Sequence, residues 1–275
     1  MTSSGSDAGT GSRSDSGSGS RFDSAAGGSA GSVGSAGSAG SPGAQVRTIA
    51  FVAYPGMTLL DLVGPLQVLA ALPRLGLPYE VVVVAAEAGP LGTDAALRVH
   101  PDRTFAEVPS PDLLVVPGGE EPTLAALTDP ELIGYVRRAA ATASLTASVC
   151  TGALLLGEAG LLAGRKATTH WVFRDRLPAF GATPVAERWV EDGPVVTAAG
   201  VSAGIDMALH VVEREAGAAV ARQVQLFLEY DPQPPQGPVD WAAVDVDAYR
   251  PFAEAQIRAA LAGAPEVMGK LLGAA

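Results

Sequence analysis

From residue 46 onward, apolar and polar positions fall into alternating short and longer blocks. Arg47-Thr-Ile-Ala-Phe-Val-Ala-Tyr54 is a short apolar run closed by Pro55-Gly56, which predicts a strand and a turn. Leu59 to Leu72 repeats apolar residues at helical spacing and halts at Pro73. Tyr79–Ala86, Asp112–Val116 and Leu145–Val149 are apolar with little alternation, as strands buried on both faces require. Residues 89–100 predict a hairpin. Helices are predicted near 122–127, 130–142, 151–163, 203–216 and 218–229, and strands near 183–187 and 194–198. The Ala-rich residues 240–275 predict a largely helical end.

Strands alternating with helices predict an α/β fold, with a mostly parallel central sheet and helices on both faces. Such sheets bind ligands beyond the carboxyl ends of their strands. The ends in question are Tyr54-Pro55, Val116-Pro-Gly-Gly119 and Val149-Cys150.

Composition bounds the rest. Residues 1–44 are mostly Ser, Gly and Ala, too poor in apolar surface to offset their ordering entropy. They are expected to form a disordered tail before one domain over 45–275, with 230–275 as a helical C-terminal extension. No continuous apolar stretch marks a secretory signal, so a cytoplasmic protein is expected. The net charge of −11 argues against a nucleic-acid surface. No run is long and apolar enough to predict a membrane span. The single cysteine excludes an internal disulfide and a Cys-rich metal site. His100, His170 and His210 lack metal-ligand spacing, so no metal is expected.

That cysteine stands in Ala147-Ser-Val-Cys150-Thr151-Gly152-Ala153, where an apolar run meets a helical pattern. The arrangement fits a nucleophile elbow, a tight strand-to-helix turn that exposes a side chain above the sheet edge. A helix N-terminus there favours thiolate, and the Thr151 N–H is expected to face the reacting atoms. Gly119 is expected to supply a second N–H, because a glycine pair lets backbone approach a ligand. Asp61 lies among apolar residues just after the first strand, while Thr58 is better placed as the helix cap. A carboxyl in that setting titrates near neutrality and suits acid–base work beside a thiol. For His170, two readings stay open: a base for Cys150, or a packed histidine at the next helix start. His100 and His210 read as structural, and Asp206 as a first-turn carboxylate.

Four blocks, YPGMTLLDLVGPLQVL, LLVVPGG, SVCTGALLLGEAGLLAGRKATTHW and GVSAGIDMALHVVE, together resemble the DJ-1/PfpI superfamily, also called class I glutamine amidotransferase-like. Within it the chain looks most like the bacterial isonitrile hydratases. Asp61 in LDLVGP, Thr151 after the cysteine and QVQLFLEYDPQPP at 223–235 carry that finer likeness. The resemblance implies a flavodoxin-like three-layer sandwich, a homodimer, no cofactor and a small-molecule substrate, an isonitrile hydrated to an N-substituted formamide. It makes Cys150 the nucleophile, Asp61 the acid–base carboxylate and Thr151 an essential neighbour, with the Gly119 and Thr151 N–H groups at the anion pocket. A non-catalytic ligand- or redox-sensing module is the alternative. So is an amidase-like domain of the kind found in AraC-type regulators, but the residues after Tyr230 hold few basic side chains for reading DNA. Glutaminases of the superfamily use a late His-x-Glu pair; here Trp171 and Val172 follow His170.

Overall fold

The computed structural model describes residues 45–273. The Ser/Gly-rich stretch 1–44 lies outside them. The first half of the sheet is built by β1 (Arg47–Val52), β2 (Tyr79–Ala85), β5 (Arg103–Thr104) and β6 (Leu113–Val116). Between them lie α1 (Leu59–Leu69), the short α2 (Ala71–Arg74) and the hairpin of β3 (Leu91–Gly92) with β4 (Arg98–Val99). Next come α3 (Glu120–Ala126), α4 (Pro130–Thr142), β7 (Leu145–Ser148) and α5 (Gly152–Glu158). They are followed by β8 (Lys166–Ala167), a 3-10 helix over Trp171–Phe180, β9 (Thr183–Pro184), β10 (Trp189–Asp192) and β11 (Val195–Ala198). The chain closes with α6 (Ala203–Ala216), α7 (Ala218–Phe227), α8 (Arg250–Ala260) and α9 (Pro265–Leu272).

Seven strands form one sheet in the order β10-β11-β7-β6-β1-β2-β5. Every pairing is parallel except β10 with β11. β6 and β7 are buried at every position, and β1 from Ile49 on, which explains their lack of polar alternation. The expected mostly parallel α/β sandwich is therefore the observed one. Strand order reverses between β1 and β6, because the chain runs out to β2 and β5 before returning. A crevice at the strands' carboxyl ends is expected at such a reversal. The loops after β1, β6 and β7 all reach it.

α1 and α6 pack tightly through small residues. A Cβ on Gly64 would lie 3.2 Å from Ile205, and one on Gly204 would lie 3.0 Å from Val149 and 3.4 Å from Pro65. This clamp matters for chemistry, since α1 carries Asp61 and α6 follows the loop at Val201.

Three expectations are corrected. The strand near 183–187 shrinks to β9, which pairs with β8 in a separate ribbon. The sheet instead takes up β10, joined to β11 by the two-residue turn Gly193-Pro194 with Gly193 at φ +64°, where a glycine meets the positive φ that tight hairpins need. The helix expected over 151–163 ends at Glu158, with Gly160 in the left-handed region at φ +83°. The helical extension expected over 230–275 begins only at Asp247: residues 230–246 form no helix, while a 3-10 turn over Asp247–Tyr249, α8 and α9 take up most of the described residues beyond.

The C-terminal helices are nonetheless part of the core. Ala253, Ile257, Leu261 and Leu271 are buried. The buried Arg176 donates to the Leu271 carbonyl at 3.1 Å, and Lys270 pairs with Glu158 at 2.9 Å. Replacing Ile257 with Ala should lower stability by about 2–4 kcal/mol, as for other buried aliphatic truncations. Urea unfolding checks this, and a loss below about 0.5 kcal/mol would mean α8 is not integrated.

Candidate active site

Cys150 follows β7 by two residues and sits at φ +56°, the left-handed region that side chains other than glycine seldom occupy. Its N–H donates to the Ala199 carbonyl at 2.9 Å, and its carbonyl accepts from Thr169 Oγ1 at 2.7 Å. The elbow is thereby fixed to the chain on both sides. Glycines allow the turn to close. A Cβ on Gly152 would drive into the Val116 carbonyl oxygen, and one on Gly118 would lie 2.6 Å from the Thr151 nitrogen.

Asp61 lies in the first turn of α1 and is fully buried. Its Oδ2 accepts the Gly118 N–H at 3.0 Å. Oδ1 is buried without a hydrogen-bond partner among the described residues. The carboxyl and the Cys150 thiol lie close enough for each to shift the other's pKa. Burial pushes the Asp61 carboxyl up to about 7, opposed by the Gly118 N–H and the thiol. Burial also pushes the Cys150 thiol well above its usual range, and the Asp61 charge adds to this. Both effects disfavour thiolate and so oppose the one expected from the helix terminus. A seven-residue helix end cannot outweigh near-complete burial beside a carboxylate.

The N–H groups of Thr151 and Val201 act on the Cys150 sulfur and favour its anion. Thr151 holds the position expected of it, whereas Val201 was not among the expected residues. It stands at φ +21°, a strained geometry for a β-branched side chain. No sequence pattern announces that an amide four residues before Ile205 will turn onto a thiol. Only the Gly200-Val201 pair, after a strand end, hints at a sharp loop.

Gly119 departs from its expected role. Its N–H donates to Thr151 Oγ1 at 3.0 Å rather than facing an anion pocket. Thr151 Oγ1 in turn bonds Thr123 Oγ1 at 3.0 Å, which meets the Tyr54 hydroxyl at 2.8 Å, and that hydroxyl donates to the Pro117 carbonyl at 3.0 Å. This buried network ties the ends of β1 and β6 to the elbow. The Thr58 side chain does not cap α1; Asp94 Oδ1 accepts the Leu59 N–H at 2.8 Å instead.

The His170 ring lies against Gly200, where a Cβ would come within 2.8 Å of Cδ2. Its Nδ1 is buried without a partner among the described residues, and burial pulls its pKa down against the charge of Glu120. It forms no hydrogen bond to Cys150, so the packed reading describes its contacts better than the base. His100 is exposed. His210 stacks on Trp189 and bonds Glu191 at 2.6 Å. Asp206 engages Arg188 and Tyr230. Among the described residues no group of three or more His, Cys, Asp or Glu could hold a metal, and no helix is long and apolar enough to cross a membrane.

A strained cysteine elbow beside a buried carboxylate, on a parallel α/β sheet, defines the class. The sequence matches the DJ-1/PfpI family over residues 47–214, and the chain belongs to that family. It is 42% identical to the isonitrile hydratase of Pseudomonas putida over 187 residues, 68% of this chain and 80% of that one. It is 32% identical to the HTH-type transcriptional regulator CdhR of Pseudomonas aeruginosa, covering 63% of this chain and 52% of the regulator. A ThiJ/PfpI family protein from Pseudomonas syringae superposes with a TM-score of 0.71 at 36% identity, over 82% of this chain and 90% of that chain.

The raised Asp61 pKa has a consequence for stability. Its folded value of about 7 exceeds the ordinary 3.8, so the folded state holds the proton more tightly than the unfolded one. Stability from this group is complete below pH 3.8, falls as pH rises toward 7 and is constant above. At about 1.4 kcal/mol per unit the loss is at most about 4 kcal/mol. Asp61→Asn should therefore raise the melting temperature relative to wild type more at pH 8 than at pH 4.5. Equal differences at both values would show that Asp61 is not held protonated by burial.

Proposed function

We propose that this protein hydrates isonitriles to N-substituted formamides through a covalent bond to Cys150. The observation that carries the reading is the nearness of its one thiol to a buried carboxyl whose pKa burial pushes up to about 7. The 42% identity to an isonitrile hydratase supports the choice of substrate class.

The chemistry balances with these two groups and water. Asp61 as carboxylate accepts the thiol proton while sulfur attacks the terminal carbon of R–N≡C. Asp61 then returns that proton to the same carbon, giving the thioimidate R–N=CH–S–Cys150. Water adds to this carbon; its proton passes by way of Asp61 to nitrogen. Collapse expels the sulfur and leaves R–NH–CHO, and the remaining hydroxyl proton restores the thiol. One group must accept and release protons in turn, which a pKa near 7 suits. The Thr151 and Val201 N–H groups lower the cost of charge on sulfur as it attacks and as it leaves. Thr151 Oγ1 acts through Gly119 and holds the β6 end in place.

A neutral isonitrile also fits the electrostatics. After burial, backbone N–H groups and acids are what act on both partners, and no cationic side chain figures among them. The homodimer suggested by the family resemblance is part of the same proposal. The redox-sensing alternative is disfavoured, since oxidation follows thiolate character and exposure and Cys150 is 2% exposed.

Purified protein with cyclohexyl isonitrile should yield the formamide by mass spectrometry. Cys150→Ala and Asp61→Val should each cut kcat/KM by at least about 100-fold while remaining folded by circular dichroism. For wild type, kcat/KM should rise once with pH, through about 7, as Asp61 becomes the base. Full rate in Cys150→Ala, or no turnover of several aryl and alkyl isonitriles, would reject the assignment.

A further inference from the structure

The stretch between α7 and α8 has no helix or strand apart from one 3-10 turn, yet aromatic contacts hold it to the site. Trp171 follows His170, and their rings are 5.8 Å apart. Trp241 lies 5.9 Å from Trp171 at 58°, and Tyr249 meets Trp171 edge-on at 4.8 Å. Further on, Gln256 Nε2 of α8 donates to Glu120 Oε2 at 3.3 Å. Glu120 stands at φ +43° beside Gly119, and its charge acts on both Asp61 and His170.

The chain from Trp241 to Gln256 thus starts at the His170–Trp171 rim and ends at the Glu120 rim. Cys150 itself is 2% exposed, so a reagent must displace something to reach it. The strap is the part least held by the core. Trp241 and Tyr249 remain 56% and 48% exposed. Few backbone hydrogen bonds join residues 231–246 to the rest. Such segments open at low free energy. A cavity of about 270 Å³ walled by Trp171, Val246 and Asp247 separates part of the strap from the body of the domain.

We infer that Trp241 and Tyr249, closed on Trp171, form a size filter over Cys150 and set how large an apolar substituent the site admits. A small electrophile slips past a slight opening of the strap. A bulky one needs the rings to part, losing edge and tilted aromatic contacts worth about 0.5–1.5 kcal/mol each. The inference rests on the proposed reaction only for the nature of the substituent, an alkyl or aryl group on an isonitrile.

Its test is independent of turnover, because Cys150 is the chain's single thiol. Labelling rates are measured for the intact protein with methyl methanethiosulfonate, which is small, and with N-(1-pyrenyl)maleimide, which is bulky. In Trp241→Ala the bulky-to-small rate ratio should rise about tenfold, the scale of selectivity set by apolar contacts. Tyr249→Ala should shift it in the same direction, and Trp241→Phe should stay near wild type. An unchanged ratio in both alanine variants overturns the inference. So does equal acceleration of both reagents, or a Trp241→Phe effect as large as that of Trp241→Ala. Lack of isonitrile turnover together with a raised ratio would reject the proposed reaction and leave the filter standing.

Discussion

One buried negative charge, shared between Cys150 and Asp61, is the constraint to which the rest of the site answers. Either group can carry it, and burial resists placing it on either. An isolated charge in such surroundings is too costly to keep, so the protein supplies fixed partial charges. Gly118 offers its N–H to Asp61, and Thr151 and Val201 offer theirs to the sulfur. These donors are backbone, already oriented by folding, and need no rearrangement when the charge moves between acid and thiol.

Orienting those amides is expensive. Glu120, Cys150 and Val201 are three of the four non-glycine residues at positive φ among the described residues, and each borders the crevice. Strain of about 1–3 kcal/mol per residue persists only where surrounding structure over-determines it. Here the determinants are visible. The Thr151–Thr123–Tyr54 hydrogen-bond chain pins the elbow to β1 and β6. The glycine contacts of α1 with α6 pin the carboxylate arm to the Val201 loop.

The sequence exposes this arrangement unevenly. Uniformly apolar strands such as Leu113–Val116 reveal the sheet, because burial on both faces leaves a strong compositional trace. Their ends then point to Cys150, Gly119 and the loop after Tyr54. Asp61 is legible for the opposite reason, as a charge where apolar residues belong. The direction of an N–H is not legible. Gly118 and Gly119 read alike in Pro-Gly-Gly, yet one serves Asp61 and the other Thr151. Val201 contributes only its backbone, so its side chain carries no mark of the role. The weight of burial against the helix terminus at Cys150 is a property of the packed core and has no local signature either.

On the proposed reading, a neutral resting thiol separates this site from a reactive-cysteine sensor. A permanently ionised cysteine meets any electrophile or oxidant that arrives. A neutral thiol whose proton has one nearby acceptor reacts only when bond formation at sulfur and proton transfer to Asp61 occur together. The amides of Thr151 and Val201 then stabilise charge mainly as it develops, the condition under which binding groups accelerate a step. A charged substrate would gain no counter-ion from the groups around the pair and would add its own desolvation cost. A small uncharged carbon electrophile avoids that cost, and in the proposed reaction the isonitrile carbon also accepts the proton that Asp61 has just received. Thiol burial and the near-neutral carboxyl are thus two expressions of one electrostatic constraint, and the neutral substrate proposed for the site answers to it.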